Sequence, residues 1–208
     1  MTKHSGTHPI IMTARAGNWR QFIGRKKNKK FQALQQEIFR RDDFTCQYCN
    51  FRSEQYQEVV NLDHNYKNNK RDNMVTSCSF CAQCFFLDSL TLDGRSGGTI
   101  IYLPELSQAQ VNHFSRILFC AMDKETAYKS RLQALYLTFK ERVKAVEFCF
   151  GPSSSDPRVF GQALIDAHLK ERYLNHSLLS HLRLLPARHM FQKEVEYWKK
   201  TVYANIPL

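Results

Sequence analysis

The chain contains no run of about 18 apolar residues, so none of its segments is expected to span a membrane as a helix. Its opening stretch carries scattered charges where a secretory leader would need an apolar core and a cleavage site, and the expectation is a cytosolic protein. It also lacks the even cysteine count of a disulfide framework. There are seven cysteines, and Cys84, Cys120 and Cys149 stand apart from the others, which fits reduced thiols better than cross-links. Acidic residues are scarce: 19 Asp plus Glu face 30 Lys plus Arg, a formal charge of +11. Such an excess implies an acidic partner, which nucleic acid, an acidic protein segment or an anionic membrane surface would satisfy equally well.

With 208 residues, 43% of them apolar and 12% aromatic, the chain can bury a core as one domain with an appendage or as two small domains. Residues 1–18 have no clear periodicity; Ile10, Ile11 and Met12 suit a short strand or a loose arm. Residues 19–30 crowd Arg20, Arg25, Lys26, Lys27, Lys29 and Lys30 around Trp19 and Phe22. This reads either as a phosphate-gripping patch or as a solvated loop entering a helix. That helix is expected over 31–41, from the spacing of Phe31, Leu34 and Ile38, with Asp42-Asp43 as the turn after it.

A strand is predicted at 58–63, then a polar, turn-rich loop at 65–73 and a helical stretch towards 87. Asp93-Gly94 and Gly97-Gly98 mark a turn, and Thr99, Ile100 and Ile101 a hairpin or edge strand. Beyond Pro104 the pattern is helical. Ser107 caps a helix to about Met122, and Asp123 a long one to Phe150 on a stripe of Tyr128, Leu132, Leu135, Phe139, Val143 and Val146. Asp156-Pro157 opens a third helix to about Arg172; Leu178, Leu179, Leu182 and Leu185 suggest a short amphipathic helix stopped by Pro186. A last helix at 188–203 carries Phe191, Val195, Trp198 and Val202 on one face.

Five of the seven cysteines fall within residues 46–84. Cys46/Cys49 and Cys78/Cys81 each have the two-residue gap that lets both thiolates of a knuckle reach one ion, and the 28 residues between the pairs leave room for a hairpin. The pattern predicts a closed, tetrahedral zinc site, one structural zinc per chain.

The same stretch places Arg41-Asp42 before the first pair, Asp63-His64 at the end of the predicted strand, and Asn73 in the string DNMVTSCSFC that leads into the second. This resembles the zinc-stapled HNH endonucleases. The resemblance implies His64 as general base, Asn73 orienting its imidazole, and a divalent ion held by Asp63 and a final His or Asn directly after the last cysteine. Here that position is Ala82, which coordinates nothing, and Gln83 and Cys84 are poor ligands for a hard cation. His64, Asp63 and Asn73 are therefore expected to be a remnant.

Over its whole length, through the basic lead, DNMVTSCSFCAQC and GTIIYLPELSQ, the chain is similar to the IcmJ/DotN proteins of the Dot/Icm type IVB secretion systems. That similarity implies a cytoplasmic protein, peripheral to the inner membrane. It would bind the coupling ATPase and associated adaptor proteins and help recruit effectors, its HNH-like core serving as a scaffold. The expected fold is α+β: a basic N-terminal arm (1–30), an HNH-like, zinc-stapled ββα core (31–104) and a helical region packed on it (105–208). The expected function is that of a non-enzymatic adaptor. Its alternatives are a metal-dependent HNH endonuclease acting on DNA and a non-catalytic nucleic-acid binder.

Overall fold

The computed structural model describes residues 8–90, 97–122, 127–167 and 177–205. Residues 8–16 run without regular structure across the core, fixed by Thr13 N–H donating to Cys84 O (2.9 Å) and Leu87 N–H donating to Thr13 O (3.2 Å). The basic stretch after them is helical, not a loop: α1 spans Asn18–Arg25 and buries Phe22. Asn28 then caps α2 (Lys29–Arg41), its Oδ1 accepting from Lys30 N–H at 2.8 Å. The face of α2 foreseen from Phe31 and Ile38, with Phe39, packs on Val59 and Met74.

Those two residues belong to an antiparallel pair, β1 (Gln57–Asn61) and β2 (Met74–Cys78), with Val60 opposite Val75. The Arg41-Asp42 pair ties α2 to β2. Asp42 Oδ2 accepts from Thr76 N–H at 2.8 Å, and Arg41 Nη2 donates to Met74 O at 2.7 Å. The chain continues into the four-residue helix α3 (Ser79–Ala82) and two 3₁₀ turns ending at Ser89.

The second half departs from the helical expectation. Residues 182–186 form a strand, β4 (Leu182–Pro186), preceded by a 3₁₀ turn at Ser177–His181, and pair antiparallel with β3 (Gly98–Tyr102), Ile100 lying opposite Leu184. Leucines at 182 and 185 satisfy helical spacing, but the run LRLLP also suits a strand buried on both faces, and the free edge of β3 selects that state. The opposite edge of β3 is covered as well. Ile100 N–H donates to Ser155 O (2.8 Å) and Tyr102 N–H to Arg142 O (3.4 Å), which occupies these two ladder donors.

That second contact accounts for a further difference. The long helix foreseen to Phe150 is two, α5 (Lys129–Lys140) and α6 (Val143–Phe150), broken where Arg142 turns its carbonyl to β3. Of the stripe assigned to its core face, Val146 is buried while Tyr128 and Leu135 are exposed. The Asp123 cap, the Asp93-Gly94 turn and the end of the third helix near Arg172 lie outside the described residues.

The remaining helices follow their local signals. Before α4 (Gln108–Met122), Ser107 Oγ accepts from Gln110 N–H (3.2 Å) and Gln110 Oε1 accepts from Ser107 N–H (2.8 Å), a reciprocal capping box. Asp156 caps α7 (Pro157–Ala167) through Arg158 N–H at 2.8 Å. A 3₁₀ turn (Arg188–Phe191) leads into α8 (Gln192–Lys200), which buries Val195 and Trp198. The principal core gathers Trp198, Phe191, Phe80, Phe51 and Phe119 around the four knuckle cysteines.

Candidate metal centre

The first cysteine pair sits on a tight loop. Cys46 N–H donates to Phe51 O (2.9 Å) and Asn50 N–H to Cys46 O (2.9 Å). Asn50 has a φ of +59°, the left-handed conformation that asparagine tolerates. The second pair uses a strand end and the helix start that follows: Cys78 closes β2 and Cys81 lies in α3. The hairpin register brings the two pairs together.

The four Sγ atoms lie within 4.8 Å of one another, and all four residues are buried. Metal–sulfur bonds of about 2.3 Å give a tetrahedron with edges of roughly 3.8 Å. Cys49 Sγ and Cys78 Sγ are 3.6 Å apart, close to that edge, so the thiol set is compatible with a soft or borderline metal ion. Burial pushes the Cys78 and Cys81 thiols well up, whereas hydrogen bonds from the Cys46, Cys78 and Cys81 thiols bring Cys49 well down. A divalent cation resolves that conflict by stabilising all four thiolates together.

A second layer comes from α4. Asn112 Nδ2 donates to Cys81 Sγ at 3.2 Å, and Arg116 Nη2 donates to Cys78 Sγ at 3.3 Å and reaches Cys49 Sγ at 3.9 Å. His113 Nε2 meets Cys49 O. The Arg116 guanidinium lies 3.6 Å from the Phe51 ring centroid and 5.3 Å from those of Phe80 and Trp198. Sequence reasoning missed these residues. The available signal was NHxxR inside a predicted helix, three polar side chains on one helical face.

Asp63, His64 and Asn73 are brought to one end of the hairpin, where the asparagine bonds the aspartate. Asn73 Nδ2 donates to Asp63 Oδ1 (2.9 Å), and Asp63 N–H donates back to Asn73 Oδ1 (3.0 Å). Asn65 N–H also binds Oδ1 (2.8 Å), and Asn68 Nδ2 binds Oδ2 (2.7 Å). The carboxylate is thus filled by amides. His64 has a φ of +56°, its ring is 5.2 Å from that of Phe85, and its Nδ1 has no partner. Burial first, and then the charge of Arg15, lower its pKa. Ala82 is buried, Cys84 Sγ is turned to Phe80 O (3.5 Å), and Gln83 Oε1 accepts from Gly97 N–H (3.1 Å).

The basic group is divided. Arg25 is half-buried, bonded to Asn61 Oδ1 (2.6 Å) and Val59 O (2.5 Å) and stacked 4.3 Å from the Phe31 centroid; burial lowers its pKa to about 10. Lys26 pairs with Glu58 at 2.6 Å. Arg20, Lys27, Lys29 and Lys30 remain exposed.

Fold and site together define an α+β protein organised around a closed four-cysteine centre able to hold a metal ion. No family model matches the chain. A curated relative, the type 4 apparatus protein DotN of Legionella pneumophila, is 45% identical to it over 197 residues, which span 95% of this chain and 92% of the relative. The chain belongs to the DotN family.

Proposed function

We propose that this chain is a non-enzymatic adaptor of a Dot/Icm type IVB secretion apparatus. It docks on the coupling ATPase and its associated adaptor proteins at the cytoplasmic face of the inner membrane and helps recruit effectors. The observation that carries this reading is the near full-length identity with a protein named for the type 4 apparatus. Cys46, Cys49, Cys78 and Cys81 hold one structural zinc, which staples an HNH-like core. Zinc supplies folding free energy there; the residues around it exclude water and position no substrate.

The state of the would-be catalytic group favours an adaptor over a nuclease. An HNH site needs an aspartate free to bind an ion and an asparagine on the histidine ring, whereas both side chains here serve the loop between β1 and β2. Ala82 supplies no final ligand. No helix among the described residues is long and apolar enough to cross a membrane, which is compatible with peripheral attachment through the partner.

Co-expression with a coupling-ATPase segment tests the reading: a stable complex is expected on size-exclusion chromatography, with no Mg²⁺- or Mn²⁺-dependent nicking of plasmid DNA. Nicking abolished by His64→Ala would replace it with the endonuclease reading. Arg20, Lys27, Lys29 and Lys30 are exposed together on the α1–α2 segment, which favours nucleic-acid binding as the second reading. That reading predicts DNA affinity that falls steeply with salt and weakens when those residues are neutralised.

A further inference from the structure

The two halves of the chain meet at the cysteine centre, and the meeting is electrostatic as well as apolar. Arg116 is 0% exposed, inside α4 and between aromatic rings. Among the described residues no carboxylate pairs with it, and its Nε has no hydrogen-bond partner. A buried cation without a counter-charge is strongly unfavourable. Its neighbours of potential negative charge are the sulfurs of Cys78 at 3.3 Å and Cys49 at 3.9 Å and the phenol of Tyr203, whose pKa burial raises, so that the sulfurs are the ones a bound metal would hold as anions. A divalent ion bound by four thiolates leaves a net charge of −2, and the guanidinium offsets half of it. Asn112, one turn earlier on the same face, adds a neutral N–H to Cys81 at 3.2 Å.

We propose that Arg116, seconded by Asn112, is a charge latch through which metal retention at the four-cysteine centre and the docking of α4 stabilise each other. The inference rests on reading that centre as a metal site. Reciprocity is required by linkage: if the guanidinium favours the metal-loaded centre, the loaded centre favours the docked helix by the same factor. The consequence extends beyond α4. Gln108 on the same helix bonds both the N–H and the C=O of Leu184 in β4 (2.8 Å each), and α8 packs beside it through Val195 and Trp198. The metal thus stabilises the second half of the fold as well as the knuckles that bind it.

Arg116→Met tests this, since methionine keeps comparable length and removes the charge and the donors. Zinc content is measured by mass spectrometry, zinc affinity by competition with a chromophoric chelator, and exchange of the 108–122 amides with and without zinc. Wild type is expected to bind one zinc and to exchange faster across 108–122 once stripped. Arg116→Met should bind zinc at least tenfold more weakly and show a smaller zinc effect on those amides, while Arg116→Lys, which keeps a cation, recovers part of the affinity.

Zinc affinity of Arg116→Met within twofold of wild type, or 108–122 exchange in wild type indifferent to zinc, overturns the latch and leaves the metal reading standing. A wild type that binds no zinc overturns both. If Arg116→Met does not fold, the wild-type exchange comparison and Asn112→Leu, expected to weaken zinc binding severalfold, decide the matter; no change in either refutes the latch.

Discussion

Replacing Asp63 with alanine separates a structural carboxylate from a catalytic one. The side chain accepts three hydrogen bonds, from Asn65 N–H (2.8 Å), Asn73 Nδ2 (2.9 Å) and Asn68 Nδ2 (2.7 Å), and these pin the 62–73 loop to the end of the hairpin. A hydrogen bond to a charged group contributes about 1.5–3 kcal/mol when shielded, but Asp63 is exposed and water competes for it. The discounted sum is about 1–2 kcal/mol. For a domain of this size that corresponds to a fall of roughly 2–8 °C in Tm.

His64→Asn, which suits the left-handed backbone at φ +56° and removes only the ring packed near Phe85, should cost less than half as much. Burial tends to raise the Asp63 pKa, but the bonds from Asn68, Asn65 and Asn73 outweigh it and hold the pKa below its ordinary 3.8. The contribution is therefore present above that value and is lost as pH falls through the lower folded one, so wild type and Asp63→Ala should converge in strong acid. Thermal melts followed by circular dichroism measure both variants. An Asp63→Ala protein that melts with wild type, or that loses a metal-dependent nuclease activity wild type possesses, would refute the structural role.

Cys78→Ser removes one of four ligands from a fully buried centre; zinc sites of this kind contribute on the order of 10 kcal/mol, so the expected product carries little zinc and aggregates, as zinc analysis and light scattering will show. Gly161→Ala would press a methyl group against Asp88 N, 2.8 Å from the Leu87 carbonyl carbon, and backbone atoms cannot rotate aside; a loss of about 1–3 kcal/mol is expected in denaturant melts. Gln108→Ala strips the partners from the buried N–H and C=O of Leu184 and should cost about 2–4 kcal/mol by the same measurement, with β4 amides exchanging faster.

Features legible in the sequence are those whose energetics involve residues close along the chain. The two-residue gap within each cysteine pair, the Phe31–Ile38 face of α2, the Ser107 cap and the Asp156-Pro157 start each depend on neighbours within about four positions, and each appears where local reasoning put it. So does the run of β-branched residues at Thr99, Ile100 and Ile101, although its pairing partner was not foreseen.

Other features required contacts that spacing does not encode. LRLLP is compatible with a helix or a strand, and the backbone groups of β3, some eighty residues earlier, make it a strand. One long amphipathic stripe became α5 and α6 because Tyr102 N–H needed the carbonyl of Arg142. Asp63, His64 and Asn73 are neighbours in space as their motif suggests, yet only the fold shows the carboxylate already filled by three amides.

By itself the sequence determined the four-cysteine set, since ligand spacing is a local property. Tertiary structure decided what surrounds that set. Arg116 and Asn112 reach the sulfurs across thirty or more intervening residues, because a buried guanidinium must find its counter-charge wherever the packing of α4 places it.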